Sequence, residues 1–135
     1  SDYAETGVVS RVDLEIPIDK ATTGLVDALQ SLAPFGMGNP TPRIAITGVV
    51  LARVTTLKQK HLKCLFEDSE MGPAGKQIEG LIWNAKDTPF GDAIENASGT
   101  LVDVLGGLEI NEWNGHRRVQ IKIEDMRPPK PGTGD

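Results

Sequence analysis

Along the first part of the chain, Val8, Val12, Leu14, Ile16 and Ile18 share one side of a period-two pattern, with Ser10 among them. Val9, Arg11, Asp13, Glu15 and Pro17 take the other side. That alternation predicts an opening strand. The period then changes. Leu25, Val26, Leu29 and Leu32 recur at helical spacing, and Thr22 or Thr23 can cap the start, so a short helix is expected to end near Ala33. The following Pro34-Phe35-Gly36-Met37-Gly38-Asn39-Pro40-Thr41-Pro42 can neither continue a helix nor sit inside a sheet, which leaves an ordered irregular loop.

Strands dominate the remainder. Arg43 to Thr56 is long and rich in β-branched residues, and Gly48 interrupts it where a bulge would let one strand serve two sides of a barrel. His61 to Glu67 alternates, with Leu62, Cys64 and Phe66 on one face and His61, Lys63 and Leu65 on the other. Met71 to Gly75 is turn-prone and leads into a strand from Gln77 to Asn84, at whose end Trp83 is expected in the core. Ala85 to Ser98 predicts a loop with one or two helical turns. Leu101 to Ile110 is the fourth barrel strand, kinked at Gly106-Gly107, and Asn114-Gly115 is a hairpin signal leading to a fifth strand from Arg117 to Met126.

Five strands with a helical insertion between the third and fourth match an all-β OB-fold barrel, preceded here by a short helix; an SH3-like barrel is also compatible with the pattern. Three regions follow. Residues 1–42 hold the opening strand, helix and Pro/Gly-rich loop packing on the barrel, residues 43–127 form the barrel, and residues 128–135 read as a linker or tail. In an OB-fold, ligands lie across the second and third strands between the first and last hairpin loops. Here those loops are Leu57 to Lys60 and Asn111 to His116.

The net charge of -5 argues against a polyanion partner until its distribution is considered. Arg43, Arg53, Lys58, Lys60 and Lys63 form an acid-free basic stretch, and Arg117, Arg118 and Lys122 form a second. Both adjoin the candidate loops. The one cysteine, Cys64, excludes an internal disulfide and reads as a buried thiol. No stretch reaches the roughly 20 apolar residues of a membrane span and no signal peptide is visible, so a cytoplasmic protein, or a fragment of one, is expected. Two histidines and one cysteine make no metal site of recognisable spacing, and the acids fall in turns and on outward positions. No catalytic residue is assigned.

Four strings are more specific than periodicity. Leu32 to Pro42 resembles the Pro-Phe-Gly-x-Gly-Asn-Pro-x-Pro signature that opens the OB domain of RecJ-type single-stranded-DNA-specific exonucleases. His61-Leu62-Lys63, Gly80-Leu81-Ile82-Trp83-Asn84, and Asn111-Glu112-Trp113-Asn114-Gly115 with Val119-Gln120 and Glu124-Asp125-Met126-Arg127 resemble later elements of that domain. The chain departs from the family at Thr41, where an acid is usual, and at Lys58-Gln59-Lys60, where a glycine is usual.

The resemblance implies a non-catalytic, single-stranded-DNA-binding barrel of a 5′-to-3′ exonuclease acting in DNA repair and recombination. The parent's Mg or Mn ions would belong to catalytic domains outside this fragment, which itself is expected to need no cofactor. Expected partners are single-stranded DNA, those catalytic domains, and a single-strand-binding or other repair protein. The alternative is a structural or protein-interaction module bracing the catalytic domains or docking a repair partner. The candidate DNA-binding residues are Arg53, Lys58, Lys60, His61, Lys63, Trp113, Asn114, Arg117, Arg118 and Lys122, with Trp113 either stacking on a base or folding onto the rim. Phe35, Gly36, Gly38, Asn39 and Pro40 are expected to be structural.

Overall fold

A computed structural model describes residues 11–32 and 41–131. Its elements are β1 (Leu14–Ile16), a 3-10 turn (Ile18–Lys20), α1 (Thr23–Leu32), β2 (Ile44–Leu57), β3 (His61–Asp68), β4 (Gly72–Ile82), α2 (Pro89–Asn96), β5 (Leu101–Trp113) and β6 (His116–Arg127). The strands run β1-β2-β3-β4-β6-β5, and β5 closes back onto β2. β4 and β6 are parallel, whereas β2–β3, β3–β4, β5–β6 and β2–β5 are antiparallel. A closed five-stranded barrel in this order, with a helix between its third and fourth strands, is an OB-fold.

The inward alternation of the strands builds the core. Leu51, Leu62, Cys64, Phe66, Val104 and Ile121 are fully buried and enclose the barrel axis. Burial pushes the Cys64 thiol up to about 12, so it stays protonated and inert. β2 turns the barrel's corner at Gly48, whose φ of 64° lies in the left-handed region and whose position coincides with a register shift between Ile46 and Val49. Before the bulge β2 lies between β1 and β5; after it, β3 takes the place of β1, while β5 still pairs at Val49 and Val50. β1 thus covers an edge that would otherwise be open. Buried Asp103 secures the corner by accepting the Gly48 N–H at 2.8 Å and the Lys130 N–H at 3.1 Å. The first part of the expected linker is therefore tied back to the barrel.

The helices pack at opposite ends of the β5–β6 hairpin. Thr22 Oγ1 accepts the Leu25 N–H at 3.1 Å, starting α1, and Asp27 on that helix meets Arg117 near the hairpin tip. Thr88 caps α2 by accepting the Gly91 N–H at 3.0 Å, and Ile94 is buried beneath it. At that end the Lys86 N–H bonds the Lys60 carbonyl, joining the turn after β2 to the segment after β4.

Several expectations are corrected. Within the described part of the opening strand only Leu14–Ile16 pairs, and Leu14 is exposed; Pro17, with no N–H to donate, ends the strand before the 3-10 turn. The turn expected over Met71 to Gly75 falls at Ser69 to Met71, because Asp68 Oδ1 accepts the Glu70 and Met71 N–H groups at 2.8 and 2.9 Å. β4 then begins at Gly72, and a register jump leaves residues 73–76 bulged beside β3, which accommodates Pro73. The last loop is shorter than expected: β5 runs to Trp113 and β6 resumes at His116, leaving Asn114-Gly115 as a two-residue turn.

Candidate functional site

Outward side chains of adjacent strands line up in rows. Arg53 on β2 is level with Leu65 on β3, Leu65 with Glu79 on β4, Glu79 with Gln120 on β6, and Gln120 with Glu109 on β5. The next row holds Thr55, Lys63, Leu81 and Lys122. A groove of about 650 Å³ crosses this face, lined by Arg53, Leu65, Gln77, Glu79, Asn111 and Gln120, with Lys76, Arg117 and Arg118 at the hairpin side. Thr22 and Thr23 close it beside α1. A smaller recess of about 210 Å³ adjoins it at Arg53, Thr55, Lys63 and Glu79.

The groove brings together Arg53, Arg117 and Arg118 from separate parts of the chain. Arg117 is partly committed, since its guanidinium pairs with Asp27 at 3.1 Å. Lys63 lies on the same face and pairs with Glu79 at 3.5 Å, and Lys122 is exposed one row further on. Gln120 donates to Glu109 at 2.7 Å, holding the β5–β6 part of the floor. Trp113 and Asn114 stand exposed at the hairpin tip, with 72% of Trp113 open to solvent, so the ring does not fold onto the rim.

Lys58 and Lys60 are exposed on the turn at the other end of the face. That turn is made without glycine: Lys58 and Gln59 both adopt left-handed backbone, at φ 52° and 63°. Two successive left-handed residues give a turn whose twist matches its flanking strands, and holding non-glycine residues there costs some local strain.

His61 is corrected. Its outward position in β3 is as expected, yet the side chain is buried and not offered to a ligand. Trp83 packs nearly perpendicular to it at 4.6 Å between ring centroids, and its Nδ1 accepts the Asn84 N–H at 2.8 Å. Burial, then the charges of Lys60 and Lys58, hold its pKa below the usual histidine value. Trp83 is corrected in the opposite sense: expected in the core, it is 56% exposed on the outer face.

Lys76 is a groove residue that the sequence pattern does not mark. In sequence it is a lone base in an acidic stretch, and only the bulge at residues 73–76 brings it to the groove. Phe35, Gly36, Gly38, Asn39 and Pro40 lie outside the described residues. Among the described residues no three His, Cys, Asp or Glu side chains gather as a metal site, and no helix is long and apolar enough to cross a membrane.

A closed five-stranded barrel with an open, cation-rimmed groove over its second and third strands defines an OB-fold domain. The family model for the RecJ OB domain matches residues 12–125, and the chain belongs to that family. It is 26% identical over 119 residues to the single-stranded-DNA-specific exonuclease RecJ of Bacillus subtilis, covering 87% of this chain and 14% of that protein. Against the RecJ of Dickeya dadantii it is 27% identical over 116 residues, covering 86% of this chain and 19% of that protein. The crystal structure of Thermus thermophilus RecJ in complex with Mn2+ superposes with a TM-score of 0.51 at 26% identity, over 78% of this chain and 14% of that one. The chain thus spans less than a fifth of the curated relatives it matches.

Proposed function

We propose that this barrel binds single-stranded DNA along its outer groove, for a parent metal-dependent 5′-to-3′ exonuclease of DNA repair and recombination. The observation that carries the reading is the groove itself. Arg53, Lys76 and Arg118 line an open surface groove, and none of the three has an ion-pair partner among the described residues. Such cations suit a phosphate backbone, whereas the polar floor offers no deep enclosure for a small ligand. Mg or Mn chemistry is assigned to the remainder of the parent, in keeping with the Mn2+ complex of the Thermus relative.

Fluorescence anisotropy with a labelled oligothymidylate tests this. Weak binding that strengthens as salt is lowered is expected, with a log–log slope of about -2 to -3 if three to four phosphates are neutralised at about -0.7 each. Absence of binding at high micromolar protein in low salt would overturn the reading.

A second role is favoured by a different surface. Phe90, Ile94, Ala97, Leu101 and Met126 line a mainly apolar recess of about 450 Å³ beside α2, with Leu101 49% exposed. We propose that it braces the catalytic domains of the same parent chain. Leu101→Asp should lower the melting temperature of the full-length parent while leaving oligonucleotide binding by the isolated barrel intact; an unchanged parent would remove this role.

A further inference from the structure

Trp83 and Trp113 are the only tryptophans in the chain, and both are exposed, at opposite ends of the outer face. Because β4 and β6 run parallel with Glu79 level with Gln120, Trp83 lies four residues beyond the central row in one direction. Trp113 pairs with His116, four residues from Gln120 in the other. At ~3.3 Å per residue the two rings are separated along the strands by roughly 26 Å. Each has cations near it: Lys58 and Lys60 on the turn that Lys86 ties to the segment after Trp83, and Lys76 and Arg118 on the hairpin side.

The middle is different in kind. Its outward residues are Leu65 and Leu81, the Lys63–Glu79 pair and the Gln120–Glu109 pair, with Arg53 and Lys122 at the sides and, among the described residues, no aromatic ring. Glu79 places a negative charge where a phosphate would pass. A base crossing this stretch meets no ring of the described residues to stack on, while a base at either end meets an open indole.

Resting on the DNA-binding reading above, we infer that the site is bipartite. Bases are gripped at two stations, one at Trp83 and one at Trp113, and the intervening nucleotides cross as backbone only. Each station alone is weak, and tethering through one strand makes the second contact intramolecular, so affinity rises sharply once the strand reaches both. At the ~3.4 Å spacing of a stacked strand the gap corresponds to at most about eight nucleotides, fewer where the strand is stretched.

Substitutions in the DNA test this on the unaltered protein. Three oligothymidylates of about twelve nucleotides are compared by anisotropy and tryptophan quenching: one complete, one abasic in its middle third, and one abasic in both outer thirds. The middle-abasic strand should bind within about threefold of the complete one and quench similarly, and the end-abasic strand should lose at least about tenfold. Equal affinity for the two abasic strands, or a greater loss from the middle, would overturn the bipartite site while leaving the groove reading standing. Failure of the complete strand to bind would overturn both.

Discussion

The inner and outer faces of the same strands obey different rules. On β3, Leu62, Cys64 and Phe66 point inward and are wholly buried, and their role follows from alternation alone. Lys63 and His61 share the outward side of that strand, yet one lies on the open face and the other is covered by a ring that arrives after β4. Inward positions are defined by what the barrel must exclude. Outward positions are defined by which neighbours happen to reach them, and those neighbours come from distant sequence.

Damage to the inner face should be the most costly. Phe66→Ala, which empties a fully buried aromatic site, is expected to cost about 3–5 kcal/mol, read by denaturant or thermal unfolding. Gly106 comes next. It sits at the register shift between β5 and β6, and a Cβ there would lie 1.9 Å from the Lys122 carbonyl oxygen. Gly106→Ala should therefore force the strands apart and cost at least about 1–3 kcal/mol in the same assay.

The outer face should separate from the inner one. Replacing Arg53, Lys76 and Arg118 together by Ala is expected to leave each site within about 0.5 kcal/mol in stability while weakening oligonucleotide binding at least about tenfold. A triple variant that unfolds would mean that the two faces are not independent. Glu79→Gln should act in the other direction: freeing Lys63 and removing an acid from the groove floor is expected to tighten binding by about two- to threefold. The smallest effect concerns pH. The folded-state pKa of His61 is held below its ordinary 6.5, so the unfolded chain binds the additional proton first and stability should decline as pH falls below about 6.5. Melting curves over that range should show a smaller decline for His61→Gln.

Much of the barrel is legible in the amino-acid sequence. The alternation of Val119, Ile121 and Ile123, the Asn114-Gly115 turn and the glycine at position 48 each answer to local backbone chemistry, and each stands where that chemistry required. What escaped was set by long-range geometry. The Pro73-Ala74-Gly75 stretch has turn composition, but Asp68 captures the preceding amides first and shifts the turn upstream. That displacement is what delivers Lys76 to the groove. Trp83 is a different case: alternation with buried Ile78, Gly80 and Ile82 already sets it on the outward side with Glu79 and Leu81, and the size of an apolar ring is no guide to burial against that pattern. The pairing of Arg117 with Asp27 spans 90 positions and has no local signature.

On the proposed reading the outer face of the barrel, from Trp83 to Trp113 across the groove, receives single-stranded DNA and the surface of α2 does not. Amide chemical-shift mapping of the isotope-labelled chain during titration with oligothymidylate tests it most directly. Shifts should gather along the outer face, at Arg53, Leu65, Lys76 to Glu79, Trp83, Asn111, Trp113 and Arg118 to Gln120, with the surface of α2 around Phe90 and Ala93 unchanged. Shifts centred on α2 and Leu101, with the groove silent, would contradict it.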